Sequence, residues 1–296
     1  MASTERFGLS AALTMPFDAA MGIDTPRAID HAKWCLQNGC GSVTLFGTTG
    51  EGSSIGAEER RELLDAFLAA GIAPRRIVSG VMANSVQDAA EQSGLALDAG
   101  CRGILLAPPS YFKNVGDEGL YAWFSAVFTA LGASARDIIV YNIPSVTAVE
   151  LSVDLIGRLK AAFPGVVTGV KDSSGNWSYT QKLLAAHGDL AILIGDERSL
   201  AAGVRLGAQG AISGMANIYP ARLLPMIEEG RDDRALSGFV DELVKYPVVP
   251  AVKAMVARRT GDATWRAARA PLSTISAADE TRLAGLIEGM ERAAAA

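Results

Sequence analysis

Histidine and cysteine are scarce in this chain of 296 residues, with two of the first and three of the second. His31 and His187 lie far apart, each in a predicted helix, so neither a serine–histidine triad nor a histidine-rich metal site can be built on them. Both read as surface or packing residues. Cys35, Cys40 and Cys101 are odd in number and lack a CxxC spacing, which argues against a disulfide framework and a thiolate metal site. They read as buried, reduced thiols. Positive charge is also short: the net charge is −5. Without a basic footprint, nucleic acid and anionic membranes are poor partners, and an anionic small substrate would need a local cation. No window reaches the roughly 18 consecutive apolar residues of a membrane span. The opening "MASTERFGLSAALTMPF" has no cationic segment leading into a long apolar core, so the default expectation is a cytoplasmic protein. Lysine is rarer than arginine, seven against twenty.

What is abundant is apolar surface for a folded core, at 49% hydrophobic and 20% charged residues. Short β-branched runs alternate with helix-length amphipathic segments. The predicted strands are Leu9–Leu13, Ser42–Phe46, Ile77–Val81, Gly103–Ala107, Asp137–Tyr141, Val166–Lys171, Ala191–Ile194 and Gly210–Ser213. Helical patterns lie near 25–38, 56–71, 85–99, 116–131, 151–161, 177–187, 198–206 and 220–229, several opened by capping residues such as Ser85 and Ser152. Eight strand–helix units in series imply an α/β fold, a (β/α)8 TIM barrel over residues 1–230. Residues 231–296 carry only helical patterns and read as an extension packed on the barrel, or as an oligomer surface. Pro247 and Pro250 should break or kink its first helix.

In such a barrel the chemistry sits where strands end and βα loops begin. After the second strand comes "LFGTTGEGSS". Gly47, Thr48 and Thr49 there combine backbone N–H and hydroxyl donors in a form suited to a carboxylate or phosphate, or else make a glycine turn with a threonine cap. The GK[ST] lysine of a nucleotide-binding loop is missing. After the fifth strand, in "IIVYNIPSVT", the period-two rule puts Tyr141 on the inward face with Ile139, as a core tyrosine or a working hydroxyl. The sixth strand, "VVTGVKDSSGN", places Gly169 and Lys171 on one inward face. A lysine at the mouth of an apolar barrel is either a salt-bridged structural residue or a nucleophile. Desolvation favours the neutral amine, the form that attacks a carbonyl.

"GTTGE", "YNIP" and "GVKDSSGN", in this order and spacing, together resemble the dihydrodipicolinate synthase and N-acetylneuraminate lyase family of pyruvate-type class I aldolases. The likeness runs from "LTMPF" through "GDERSL" and "GAISGMAN" to the helical end. It implies that Lys171 forms an imine with a 2-oxo acid such as pyruvate. Tyr141 would shuttle a proton, Thr48 would link it to a second tyrosine, and Thr48 and Thr49 would hold the substrate carboxylate. It implies no metal and no organic cofactor, because the protonated imine is the electron sink. The second tyrosine, in "APPSYFKNVGDEG", comes from a neighbouring subunit. Counting from Pro109 selects Tyr111 and counting back from Glu118 selects Phe112; Tyr111 is preferred because phenylalanine cannot relay a proton. The active form would then be a homodimer or homotetramer.

Asp196 and Glu197, with Ser213 and Gly214, should line the same mouth and select the distal part of the substrate, though Asp196 could equally cap a helix. One departure stands out. Dihydrodipicolinate synthases proper carry arginine two residues after the proline of "YNIP", where this chain has Val146. Loss of a bidentate carboxylate partner disfavours aspartate semialdehyde. The expected function is therefore a Schiff-base lyase, aldolase or dehydratase on a 2-oxo acid, with true 4-hydroxy-tetrahydrodipicolinate synthase activity as the alternative. A non-catalytic 2-oxo-acid sensor is the reading from another class, opposed by the intact lysine, tyrosine and threonine set.

Overall fold

Eight strands close into a parallel barrel in sequence order, β1 pairing with both β2 and β8. The computed structural model describes residues 6–295. The strands are β1 (Gly8–Ala12), β2 (Ser42–Leu45), β3 (Ile77–Val81), β4 (Gly103–Leu106), β5 (Ile138–Asn142), β6 (Val167–Asp172), β7 (Ala191–Ile194) and β8 (Gly210–Ser213). Between them run α1 (Thr25–Gln37), α2 (Ala57–Ala69), α3 (Val86–Asp98), α4 (Asp117–Leu131), the single turn α5 (Pro144–Thr147), α6 (Val153–Ala162), α7 (Trp177–Ala186), α8 (Glu197–Arg205) and, after β8, α9 (Pro220–Glu228). The chain continues with α10 (Arg234–Leu243), α11 (Val248–Thr260) and α12 (Ala277–Ala295).

Small differences from the predicted strand ends have local causes. Phe46 has φ 57°, a left-handed value that takes the chain out of β2 after Leu45. Asp137, at φ 54°, likewise delays β5 to Ile138. Helix α6 starts late because the Ser152 side chain caps it, accepting from the Leu155 N–H. Pro247 separates α10 from α11, and Pro250 falls in the first turn of α11, where the missing N–H is harmless.

Strand alternation divides the apolar residues in two. Ala12, Val78, Leu105, Ile139, Tyr141, Leu193 and Ile212 fill the barrel interior. A larger cluster, with Val43, Ile104, Val140 and Val170 on the outward faces, packs under the helices. Each fully buried Val, Leu or Ile contributes about 1.5–3 kcal/mol. Helix α10 packs on α8, and α12 packs on both α10 and α11.

His31 proves to be a packing residue. Its Nε2 lies 3.0 Å from Asn217 Oδ1, which also accepts the Thr14 N–H at 3.0 Å. Arg259 Nη2 is 3.3 Å from Nδ1, so that nitrogen accepts and Nε2 carries the proton. Burial, and then the nearby Arg259 charge, favour the neutral ring, although the Asn217 bond opposes them; the pKa is lowered to about 4. Trp34, Trp265 and Cys35 complete its surroundings. A depressed histidine pKa means that the unfolded chain takes up the proton first. Stability from this group is therefore complete above pH 6.5 and is lost as pH falls toward 4, by about 3 kcal/mol in all. Urea titrations from pH 7 to 4.5 should show this slope in the wild type and a shallower one in His31→Gln.

Candidate active site

Lys171 and Tyr141 are direct register partners on β6 and β5. Lys171 is 5% exposed, and its Nζ donates to Tyr141 Oη at 3.1 Å. Gly169, two residues earlier on the same face, is required by packing: a Cβ there would stand 2.7 Å from the Ala191 carbonyl oxygen. On the outer face of β6, Asp172 accepts from Asn142 Nδ2 (3.1 Å), Thr180 Oγ1 (2.6 Å) and the Ser174 N–H (3.0 Å). These bonds pin the strand end that carries Lys171. Among the described residues Lys171 has no carboxylate partner, which removes the salt-bridged structural reading.

The loop after β2 reaches over the same mouth. Thr48 Oγ1 is 3.4 Å from Tyr141 Oη. The N–H groups of Gly50 and Gly52 bond to the Gly47 carbonyl, and that of Glu51 to the Thr48 carbonyl. The N–H groups of Thr48 and Thr49 make no bond within the described residues, so they remain as donors beside the lysine. Glycine is obligatory at Gly52, where a Cβ would lie 1.8 Å from the Phe46 carbonyl oxygen. Arg60, buried in α2, holds the loop by donating to the carbonyls of Gly52 (2.6 Å), Gly80 (2.8 Å) and Ile55 (3.2 Å). From the other side Glu51 forms a fully buried ion pair with Lys253 of α11, and its second oxygen accepts the Arg269 N–H at 2.9 Å.

A cavity of about 370 Å³ opens over Lys171, Tyr141, Thr48 and Thr49. Its outer part is lined by Ser145, Val146, Ser173, Asp196, Glu197, Arg198, Val248 and Val249, among others. Two expected lining residues, Gly47 and Ser213, need correction, and Asp196 takes the capping role that stood beside its lining one. Gly47 does not line the cavity, because its carbonyl is spent inside the turn. Ser213 is on the outward face of β8, where its hydroxyl donates to buried Glu197 at 2.5 Å. Asp196 lines the mouth, but its side chain caps α8 and chelates Arg198. Burial raises the pKa of Glu197, with the Ser213 hydrogen bond opposing that shift.

Tyr111 and Phe112 stand together at the tip of the loop between β4 and α4, 76% and 73% exposed, with ring centroids 5.3 Å apart. Neither lines the cavity of its own chain. Asn84 Oδ1 fixes the loop by accepting the N–H groups of Ser110 (2.8 Å) and Tyr111 (2.9 Å).

Residues 5–290 match the model of the dihydrodipicolinate synthetase family. The chain belongs to that family. The crystal structure of dihydrodipicolinate synthase from Agrobacterium tumefaciens is 61% identical, covers 96% of this chain and 99% of its own, and superposes with a TM-score of 0.95. An uncharacterized DapA-like lyase from Chloroflexus aurantiacus is 31% identical over 277 residues, 91% of this chain and 92% of that protein. The synthase from Acinetobacter baumannii, solved in complex with pyruvate, is 26% identical with a TM-score of 0.85 over 97% of this chain and 99% of its own.

As a member of the dihydrodipicolinate synthetase family the chain is a class I aldolase-type, Schiff-base-forming lyase. The sequence had pointed to the lysine strand, the tyrosine strand and the threonine loop, which the fold brings to one mouth. It passed over Arg60, Asp172 and Lys253, which hold them. Glu51 lay within the quoted "GTTGE", yet only its place opposite Lys253 gives it a task.

Proposed function

We propose that this protein forms an imine between Lys171 and the C2 carbonyl of pyruvate or a related 2-oxo acid, and makes or breaks the bond next to the imine carbon. The observation that carries this reading is the buried Lys171 amine, 3.1 Å from the Tyr141 hydroxyl and without a counter-ion among the described residues. The amine attacks the carbonyl, and loss of water leaves the protonated imine. Tyr141 is placed to give and take protons at that carbon and at the departing oxygen. Thr48, 3.4 Å from Tyr141 Oη, hands the proton on. The N–H groups of Thr48 and Thr49 hold the carboxylate. Tyr111 is the relay residue supplied to the site of a neighbouring copy in a homodimer or homotetramer, a role that fits an aromatic side chain projecting from its own subunit. No metal or organic cofactor enters this reading. Its setting is the cytoplasm, in keeping with three free, buried cysteines.

Incubation with pyruvate and borohydride, followed by intact and peptide mass measurement, should find one reduced adduct per chain, on Lys171. Absence of that adduct would sink the imine reading. A second reading, 4-hydroxy-tetrahydrodipicolinate synthase, is favoured by the names of several relatives. Turnover with aspartate semialdehyde, measured beside other acceptors, decides between the two.

A further inference from the structure

Beyond the inner end, every charged group lining the cavity is already engaged by the protein. Asp196 Oδ1 accepts the backbone N–H and Nε of Arg198, at 3.0 and 2.9 Å, and Oδ2 accepts Nη2 at 2.7 Å. The remaining Arg198 nitrogen, Nη1, donates to Asp241 at 2.9 Å. Glu197 takes the Ser213 hydroxyl at 2.5 Å. Two carboxylates thus saturate the one guanidinium, and among the described residues lining the cavity beyond Lys171 no cation is left over for a second carboxylate. Lys113, in the loop between β4 and α4, rests on the carbonyls of Ser110 and Thr147 and does not line the cavity.

The same cavity is lined by apolar side chains, Val146, Val240, Leu243, Val244, Val248 and Val249. Val146, Val244 and Val248 are left 61%, 42% and 42% exposed, among only eight large apolar side chains exposed in the described residues. Branched side chains gathered at the rim of a polar catalytic pocket have a ligand-sized purpose, since scattered exposure needs none. The hydroxyls of Ser145, Ser173 and Ser174, the last accepting the Asn176 N–H, are left to meet a substrate, and they follow the strands of Tyr141 and Lys171 themselves, near the reacting end.

From this arrangement we infer that the acceptor is an uncharged aldehyde with an apolar substituent, and that the valine wall selects it. This rests on the imine reading above. In the synthetic direction the enamine carbon of the pyruvate adduct forms a C–C bond to the aldehyde carbon, and the aldehyde oxygen takes a proton from Tyr141. Water then cleaves the imine, releasing a 4-hydroxy-2-oxo acid and the free Lys171 amine; retro-aldol cleavage runs the same steps backwards. Ser145 or Ser173 meets the new hydroxyl, and the apolar substituent lies on Val146, Val248 and Val249. A carboxylate there would face Asp196 and Glu197 without a partner.

The test compares isobutyraldehyde, succinic semialdehyde and glyceraldehyde as acceptors with pyruvate, each read as kcat/KM, beside borohydride trapping of pyruvate alone. The expected result is a preference for isobutyraldehyde of at least about tenfold over both others, the scale on which an apolar pocket discriminates. Val146→Arg should reverse the order between isobutyraldehyde and succinic semialdehyde, by supplying the missing cation at an exposed position. A wild-type preference for succinic semialdehyde or glyceraldehyde, or no turnover of any of the three, with the Lys171 adduct present, overturns the apolar-acceptor inference and leaves the imine reading standing. Failure to trap pyruvate at all overturns both.

Discussion

Lys171→Met is expected to abolish the borohydride adduct and to lower turnover by about three orders of magnitude or more, the scale seen when a covalent nucleophile is removed. The unfolding temperature should not fall. Lys171 is buried, yet among the described residues its amine has only the Tyr141 hydroxyl and ring as neighbours of interest, the Nζ standing 4.3 Å from the ring centroid. A buried amine without a carboxylate carries a desolvation cost that no ion pair offsets. Methionine fills nearly the same volume without the polar amine, so the variant trades catalysis for equal or greater stability. Activity within tenfold of wild type would remove Lys171 from the mechanism. A large loss of stability would instead make its amine structural.

That expectation was largely legible from the chain, and the reason is periodicity. A lysine two residues after a glycine on a β-branched run lies on the glycine's face, and in a barrel that face is inside. The same rule put Tyr141 beside Ile139, and the register Tyr141 to Lys171 brought the two strands level. What was not legible depends on which partner a side chain finds in space. Ser213 seemed to belong to the mouth because it ends a strand, but the alternation that turns Ile212 inward turns Ser213 toward Glu197. Asp196 had two open readings, cap and ligand. The cap holds in the structure because Arg198, two residues on, chelates the same carboxylate. Counting could not choose between Tyr111 and Phe112, since both rings project from one loop tip.

Lys253 is the extreme case. It lies in "VVPAVKAMVARR", an apolar helical stretch with no local mark of importance, and its partner Glu51 is 202 residues away. Both side chains are fully buried. Burial lowers the pKa of Lys253 and Glu51 opposes that shift, so the carboxylate is what makes a charged amine tolerable there. Lys253→Met should therefore behave opposite to Lys171→Met. It strands Glu51 as a buried charge and is expected to cost about 3–5 kcal/mol, a fall of roughly 10 °C in Tm for a domain of this size.

Adding Glu51→Gln should recover much of the loss, because the amide still accepts the Arg269 N–H while the orphan charge is gone. A double-mutant cycle from chemical denaturation measures this coupling, and additive effects would show that the pair does not act as a unit. Because Glu51 sits in the turn that presents Thr48 and Thr49, and the Val248 and Val249 that line the cavity sit on the helix of Lys253, the stranded charge should also disturb the site. At a temperature where the variant is still folded, kcat/KM should drop while borohydride continues to trap pyruvate on Lys171. That outcome makes the pair a positioning device for the threonine loop, distinct from the nucleophile it serves.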